Sequence, residues 1–150
     1  MANTPVPVEI KGLVPATSGV AIFLGNEKKV FVITVDQNMG LIISMFMKKA
    51  PKERPLTHDL MNAAFNAFGI SVERVLISDL KHDIFFGRIV LKQANDLGKN
   101  MAEIDARPSD CLALAVATGR PIFVSEPLFE EMEDMSETLQ KMSDEGGMPD

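Results

Sequence analysis

Two short polar stretches of the sequence combine residue types that could act on a phosphate group. The first runs from Arg54 to Asp59 and places Thr57, His58 and Asp59 directly before an apolar segment. A helix N-terminus presents unpaired backbone N–H groups and a partial positive charge, which favour phosphate. A histidine there can act as a general acid or base near neutral pH. The pattern alone favours a structural alternative, in which Thr57 caps a helix, Asp59 complements its dipole and His58 is solvated.

The second polar stretch runs from Glu103 to Asp110 and joins an alternating strand pattern to an apolar helical pattern. Alternation places Glu103 and Asp105 on one face of the strand. Carboxylates at a strand end could bind Mg²⁺ or Mn²⁺, and Arg107 could bind a phosphate through its forked guanidinium. The structural alternative is equally open: Asp110 compensates the helix dipole, and Asp105 pairs with Arg107 to fix the turn.

Two other residues stand out by their position. Arg88 lies inside a strand pattern, and we expect it to pair with a carboxylate such as Asp79 or Asp105. Cys111 follows the second polar stretch, but no second thiol or nearby histidine in the sequence would activate it. We therefore expect Cys111 to be a small buried side chain, and a single cysteine fits a reducing compartment.

Composition and charge exclude several classes of protein. The chain has 150 residues, of which 46% are hydrophobic and 24% charged, as in one ordinary globular domain rather than a disordered chain or a disulfide scaffold. No apolar run approaches the roughly 20 residues of a membrane span, and the first residues do not resemble a signal peptide. We therefore expect a cytoplasmic protein without a membrane partner.

The net charge of −6 is distributed unevenly. Residues 126–150 contain nine acidic residues and one basic residue, so the rest of the chain carries a charge of +2. A basic surface of the kind that binds nucleic acid tightly is therefore not predicted, and any such binding should be weak and non-specific. One local basic cluster, more typical of a solvated loop, consists of Lys48, Lys49, Lys52 and Arg54.

Common catalytic and binding motifs are missing from the sequence. It contains no P-loop, no dinucleotide-binding glycine pattern, no paired CxxC, no HExxH and no GxSxG. With one cysteine and two histidines, a thiol-rich zinc site is excluded. The two polar stretches are the remaining candidates for chemistry.

The elements that must position these stretches form an α+β pattern. The sequence predicts strands over 6–14, 19–24, 30–36, 71–79, 84–92, 101–106 and 121–125, and helices over 39–49, 56–69, 108–118 and 128–142. Short polar links require antiparallel neighbours, so we expect antiparallel β meanders with packed helices in a single domain. We assign residues 1–130 to this domain and 131–150 to an acidic, Met-rich C-terminal helix with a frayed GGMPD tail.

Three segments of the chain resemble one known family. They are RPLTHDL (54–60), the strand pair SVERVLISDL and IFFGRIVL (71–91), and DARPSDCLALAVATGRPIFVSE (105–126). Together they resemble the bifunctional nuclease domain family over most of the chain. The resemblance implies an α+β fold, usually in an oligomer, and nuclease activity on RNA and DNA. By the same resemblance, the positions that match the family's two polar motifs are Thr57, His58, Asp59, Asp105, Arg107, Ser109 and Asp110.

One segment departs from the family pattern. Members usually carry I-G-x-x-E-A-x-A-I after the third strand, whereas residues 35–43 read VDQNMGLII. Met39 replaces the acidic residue and Asp36 replaces the leading glycine. If that acid serves in catalysis or metal binding, this chain has lost the contribution, or Asp36 supplies it from three residues earlier.

These observations favour a phosphodiester hydrolase that acts on RNA or DNA with low sequence specificity. We expect catalytic roles for His58, Asp59, Asp105, Arg107 and Asp110, substrate contacts from Arg54, Thr57, Arg88 and Ser109, and Mg²⁺ or Mn²⁺ ligands at Asp105 and Asp110. The alternative is a non-catalytic oligomeric module, in which the helix over 39–49 and the Met-rich C-terminal stripe bind copies of the chain or a partner. Catalysis requires both polar stretches to meet in one cleft, and the structural hypothesis does not.

Overall fold

The computed structural model describes residues 4–144, which form seven strands and five helices. The strands are β1 (Val6–Ala16), β2 (Gly19–Gly25), β3 (Val30–Val35), β4 (Ile70–Lys81), β5 (Ile84–Asn95), β6 (Gly98–Ala106) and β7 (Ile122–Val124). The helices are α1 (Gln37–Met47), α2 (Thr57–Ala67), α3 (Pro108–Thr118), α4 (Glu126–Glu131) and α5 (Ser136–Asp144). None of these helices is long and apolar enough to cross a membrane.

All seven strands belong to one mixed sheet in the order β3-β2-β1-β7-β4-β5-β6. The sets β1–β2–β3 and β4–β5–β6 are antiparallel meanders. The short strand β7 lies between them, antiparallel to β1 and parallel to β4. The predicted α+β class is confirmed, but the expectation of purely antiparallel pairing is wrong at β7. A parallel neighbour needs a long crossover, and here β5, β6 and α3 provide it.

The hairpins of the second meander are tighter than the sequence predicts. β4 and β5 are joined by His82 and Asp83, whose φ angles of 51° and 63° are both left-handed. Such angles at both central residues are typical of a type I′ turn, whose twist matches that of the paired strands. The strands therefore continue through residues whose polarity suggested loops.

Helix α3 is the centre of the helical layer. Its residues 111–115 are almost fully buried, and α1 and α2 both pack against it. The predicted bounds of α3 are confirmed: it begins at Pro108 and ends before Gly119, whose φ of 69° is left-handed. A Cβ on Gly87 of β5 would lie 2.7 Å from the Cys111 sulfur, so the absence of a side chain there lets the first turn of α3 approach the sheet.

The structure identifies the N-caps of α1 and α2, and the cap of α2 differs from expectation. Leu56, not Thr57, is the N-cap of α2, and Thr57 is the first helical residue. The Asp36 carboxylate caps α1 by accepting a hydrogen bond from the Met39 backbone N–H at 2.8 Å. Both residues that depart from the family pattern therefore take part in starting a helix.

The C-terminal segment forms two helices instead of the single helix predicted over 128–142. α4 and α5 are separated by residues 132–135. Asp134 accepts a hydrogen bond from the Val30 N–H at 3.0 Å, and the Met135 N–H donates to the Val30 carbonyl at 2.6 Å. These bonds to the edge of β3 interrupt a stripe of apolar residues that is otherwise helical. The predicted GGMPD tail lies outside the described residues.

Candidate functional site

The N-termini of α2 and α3 meet through one side-chain contact. His58 is the second residue of α2 and Asp110 the third residue of α3. His58 Nε2 forms a hydrogen bond with Asp110 Oδ1 at 3.0 Å. The contact joins the two polar stretches, which are separated by 52 positions in the sequence.

Arg107 completes this cluster from the N-cap position of α3. Its Nε donates to Asp110 Oδ2 at 2.9 Å, and a terminal N–H donates to Oδ1 at 3.4 Å. Both carboxylate oxygens of Asp110 are therefore bound. The Arg107 side chain is 65% exposed, so the remainder of its guanidinium faces solvent. We call His58, Asp110 and Arg107 the polar triad.

The triad stabilises opposite charges on Asp110 and Arg107. Burial of Asp110 is the largest influence on its pKa and acts to raise it, but hydrogen bonds from Arg107 and His58 and their charges together outweigh burial and lower the pKa. The hydrogen bond to Asp110 and its charge raise the pKa of Arg107, and the charge of Asp36 adds to this effect. Asp110 is thus an anion at neutral pH, held against a permanent cation.

His58 is buried, with 4% of its surface exposed, so the expectation that it is solvated is wrong. Its ring packs edge-on against Phe46 of α1, with centroids 6.3 Å apart. Within residues 4–144, His58 Nδ1 is buried and has no hydrogen-bond partner. A buried polar atom without a partner is unusual, because it loses its hydrogen bonds to water without replacement. The sequence did not indicate Phe46 as part of the site, since it lies within an apolar helix pattern.

The other predicted residues of the first stretch lie beside the triad without joining it. Asp59 accepts a hydrogen bond from the Leu56 N–H at 2.8 Å. It also forms an ion pair with Lys52 at 3.4 Å. These contacts support the structural interpretation of Asp59 as a helix-terminus acid. Arg54 and Thr57 are exposed.

The residues of the sheet edge are oriented differently from the triad. Arg88 pairs with a carboxylate, as predicted, but the partner is Glu103 at 3.1 Å rather than Asp79 or Asp105. Asp105 lies directly opposite Arg88 in the β5–β6 register. The preceding pair is Gly87 with Ala106, and Gly87 faces α3. Since neighbouring residues of a strand point to opposite faces, Asp105 and Arg88 point away from α3.

This geometry does not prepare a metal site between Asp105 and Asp110. Asp105 points to the opposite face of the sheet, and both oxygens of Asp110 are bound by the triad. Throughout residues 4–144, no group of three or more His, Cys, Asp or Glu side chains could hold a metal ion. The predicted pairing of Asp105 with Arg107 is also not formed, because Arg107 binds Asp110.

The first turn of α3 also buries Ser109 and Cys111. Burial, with the charges of Asp110 and Asp105, raises the pKa of the Cys111 thiol to about 12. The thiol is therefore protonated and cannot act as a nucleophile at neutral pH. The expected buried, inert Cys111 is confirmed.

The triad is a surface patch, and two clefts of the molecule lie elsewhere. One, of about 480 Å³, is lined in part by Ser78, Asp79 and Glu126. The other, of about 900 Å³, lies between the start of β1 and the β2–β3 turn. No member of the triad lines either of these two clefts.

Comparisons with known proteins identify the family of the chain. The model of the bifunctional nuclease domain family matches residues 22–137, which include every strand from β3 to β7 and the whole triad. Two uncharacterized proteins from two strains of Mycobacterium tuberculosis are each 30% identical to the chain over 106 residues, which cover 71% of this chain and 60% of each relative. The chain thus spans less than two thirds of the length of these relatives. By the extent of the family match, the chain belongs to the bifunctional nuclease domain family.

Proposed function

We propose that the protein hydrolyses phosphodiester bonds of RNA and DNA, with low sequence specificity, at the polar triad. The observation that supports this most is the contact of His58 with Asp110 and Arg107 where two helix N-termini meet. Two such termini offer unpaired N–H groups to an anion, and Arg107 adds an exposed guanidinium. Membership of a nuclease domain family agrees with this chemistry.

Each member of the triad has a distinct role in the proposal. Arg107 turns from Asp110 to the phosphate and stabilises charge that develops on its oxygens. The loss of this guanidinium raises the pKa of Asp110, because two of the hydrogen bonds that stabilise its anion are removed. Asp110 then accepts a proton from the attacking water as the water oxygen bonds to phosphorus. The P–O bond to the leaving nucleotide breaks, and the leaving oxygen takes a proton from solvent. His58 holds the other side of Asp110 and keeps it at the helix terminus.

Binding of the substrate should be weak and sensitive to salt. Apart from residues 126–150 the chain carries a charge of only +2. Few phosphates are neutralised by so small a charge, and no base-reading surface is proposed. Arg54 and Thr57 are exposed near the N-terminus of α2 and are the proposed substrate contacts. Ser109 is buried, so a contact with substrate would require its side chain to become exposed. A homo-oligomer is part of the proposal.

The test is hydrolysis of end-labelled single-stranded RNA and DNA by the full chain, with Mg²⁺, with Mn²⁺ and with a chelator. We expect the single variants Asp110→Asn and Arg107→Gln to lower the rate by about 100-fold or more. Arg120→Gln is the matched control, because Arg120 lies beyond the other end of α3 and binds the Glu73 carbonyl. It should cleave at the wild-type rate.

The reactions with Mg²⁺, with Mn²⁺ and with a chelator test the predicted metal ligands Asp105 and Asp110. A rate that depends on metal and falls in Asp105→Asn would support a metal role for that residue. Equal rates in chelator would remove this role. Wild-type hydrolysis no faster than that of the double variant Asp105→Asn, Asp110→Asn would contradict catalysis and favour the non-catalytic module, in which His58→Ala changes only stability or assembly.

A further inference from the structure

β6 forms an open edge of the sheet. It pairs with β5 on one side and, among the strands of residues 4–144, with none on the other. Residues 98–105 are all exposed, and none belongs to the buried core. An edge strand leaves backbone N–H and C=O groups free to pair with another chain, so proteins usually cover such edges or keep them short. At nine residues, β6 is not a short edge.

At the opposite edge of the same sheet, the C-terminal segment binds the first residue of β3. At β3, Asp134 and Met135 bind the backbone N–H and C=O of Val30. The C-terminal segment therefore occupies the start of the β3 edge, whereas the β6 edge is available along its length.

The apolar surface of the sheet continues as far as the open edge. Ile104 is 46% exposed although it lies directly opposite Ile89, which is buried beneath the helices. Met101, on the other face, is 53% exposed. A strand added at this edge would cover both side chains.

The charges of β6 are self-complementary in one orientation. Lys99 lies in the first half of the strand, Glu103 and Asp105 in the second half, and alternation places all three on one face. Glu103 already binds Arg88. In the part of the chain that the structure describes, Lys99 and Asp105 form no ion pair.

An antiparallel pairing of two β6 strands about Ala102 places Lys99 of each copy opposite Asp105 of the other. Both unpaired charges then find partners, and the Glu103–Arg88 pair is undisturbed. A parallel pairing in register would instead place each charge beside its own copy, which is unfavourable. The strand sequence thus favours one occupant of the edge, a second copy in antiparallel orientation.

We propose that two copies of this chain associate through antiparallel pairing of their β6 strands about a two-fold axis at Ala102. The interface is isologous, so each contact occurs twice. The pairing makes one continuous sheet across both subunits. It deepens the proposed homo-oligomer but depends on β6 and not on nuclease activity, so this interface and the proposed hydrolysis can fail separately.

The first experiment exchanges the charges and measures molecular mass by sedimentation equilibrium. Lys99→Asp and Asp105→Lys each create two like-charged pairs in the dimer, and each should raise the dimer dissociation constant by about tenfold. A mixture of the two variants should form a heterodimer with near wild-type affinity, because both of its pairs are again opposite in charge. Lys28→Asp, at an exposed turn before β3, should not change association.

The second experiment tests the axis directly. In Ala102→Cys, two thiols face each other across the axis, and mild oxidation should link the subunits covalently. Cys111 does not compete, since it is buried and its thiol is protonated. Asn66→Cys, at an exposed position of α2, is the control and should remain unlinked. A wild-type chain that is monomeric up to about 100 μM, or dimers that neither charge reversal weakens, would overturn the proposal.

Discussion

At the scale of single residues, the His58–Asp110 contact connects stability with the proposed chemistry. His58 is buried, and its bond to Asp110 is the polar contact that holds the N-termini of α2 and α3 together. Removing one member of a buried pair leaves the other without a partner, which usually costs more than the bond itself contributes. We therefore regard both residues as part of the folded framework as well as of the candidate site.

The lowered pKa of Asp110 predicts a specific dependence of stability on acid. In the unfolded chain this carboxyl has its ordinary pKa of 3.8, and in the folded chain the pKa is lower. The Asp110 contribution to the free energy of unfolding is therefore complete above pH 3.8 and is lost as pH falls through the folded value. Urea unfolding between about pH 2.5 and 6 should show the stability difference between wild type and Asp110→Asn shrinking in acid.

Two arginine variants control this measurement. Arg107→Gln removes the hydrogen bonds that contribute most to the lowered pKa, so it should reduce the acid dependence. Arg120→Gln, at the other end of α3, should leave it intact. An acid dependence that is unchanged in both Asp110→Asn and Arg107→Gln would show that the triad does not stabilise the charged carboxylate.

The sequence predicted the residue types of the site better than their contacts. The joining of the two stretches was a hypothesis of the sequence analysis, since no local pattern relates positions 52 residues apart. Arg88 was expected to find a carboxylate, but the choice of Glu103 depends on the β5–β6 register. The burial of His58 depends on Phe46, which comes from another helix.

At the scale of elements, the position of α3 on β5 decides where Asp110 lies. The next residue, Cys111, sits over Gly87, where any side chain would collide with the sulfur. Ala106, the last residue of β6, bounds the same space with its carbonyl oxygen 3.1 Å from a Cβ at Gly87. A side chain at Gly87 would therefore push the first turn of α3, which carries Asp110, away from the sheet.

This close approach predicts a rescue between two substitutions. Gly87→Ala should lower the free energy of unfolding by about 1–3 kcal/mol, because the added methyl group overpacks the contact with α3. Cys111→Ala removes the sulfur, so the double variant should be more stable than the sum of the two single effects indicates. Urea unfolding of all four proteins measures this coupling. Strictly additive effects would mean that the two positions do not limit each other.

Helices and strands were predicted correctly where local sequence signals mark their ends. Pro108 and Gly119 mark both ends of α3, and its bounds were correct. β7 was recognised as a strand, but three residues carry no signal of which strands they join. The break between α4 and α5 is caused by bonds to Val30, which a helical apolar stripe cannot reveal.

At the scale of the whole molecule, a local cluster of positive charge lies where the proposed substrate would approach. The basic cluster of Lys48, Lys49, Lys52 and Arg54 lies between α1 and α2. Lys52 lies 5.0 Å from the centre of the Phe46 ring, which packs on His58. The cluster thus adjoins the triad, so what the sequence suggested to be a solvated loop also borders the candidate site.

This arrangement predicts how strongly the binding of single-stranded RNA depends on salt. If two to five phosphates contact these basic side chains, a plot of the logarithm of the binding constant against the logarithm of the salt concentration should have a slope of about −1.4 to −3.5. Lys48→Gln should reduce the slope by about 0.7, and the exposed Lys28→Gln should not. Fluorescence anisotropy over a salt series measures both. A slope that does not respond to Lys48→Gln would place the nucleic acid elsewhere on the surface.

The insertion of β7 between β1 and β4 has a consequence for biosynthesis. A nascent chain that has been translated only through α3 already contains both meanders, but each of them ends in an unsatisfied strand facing the gap. Residues 122–124 close that gap from both sides at once. The two meanders therefore join late in synthesis, through contacts between residues that are far apart in the sequence. A chain stalled on the ribosome before Ile122 would expose β1 and β4 as unpaired strand edges that can associate with other chains.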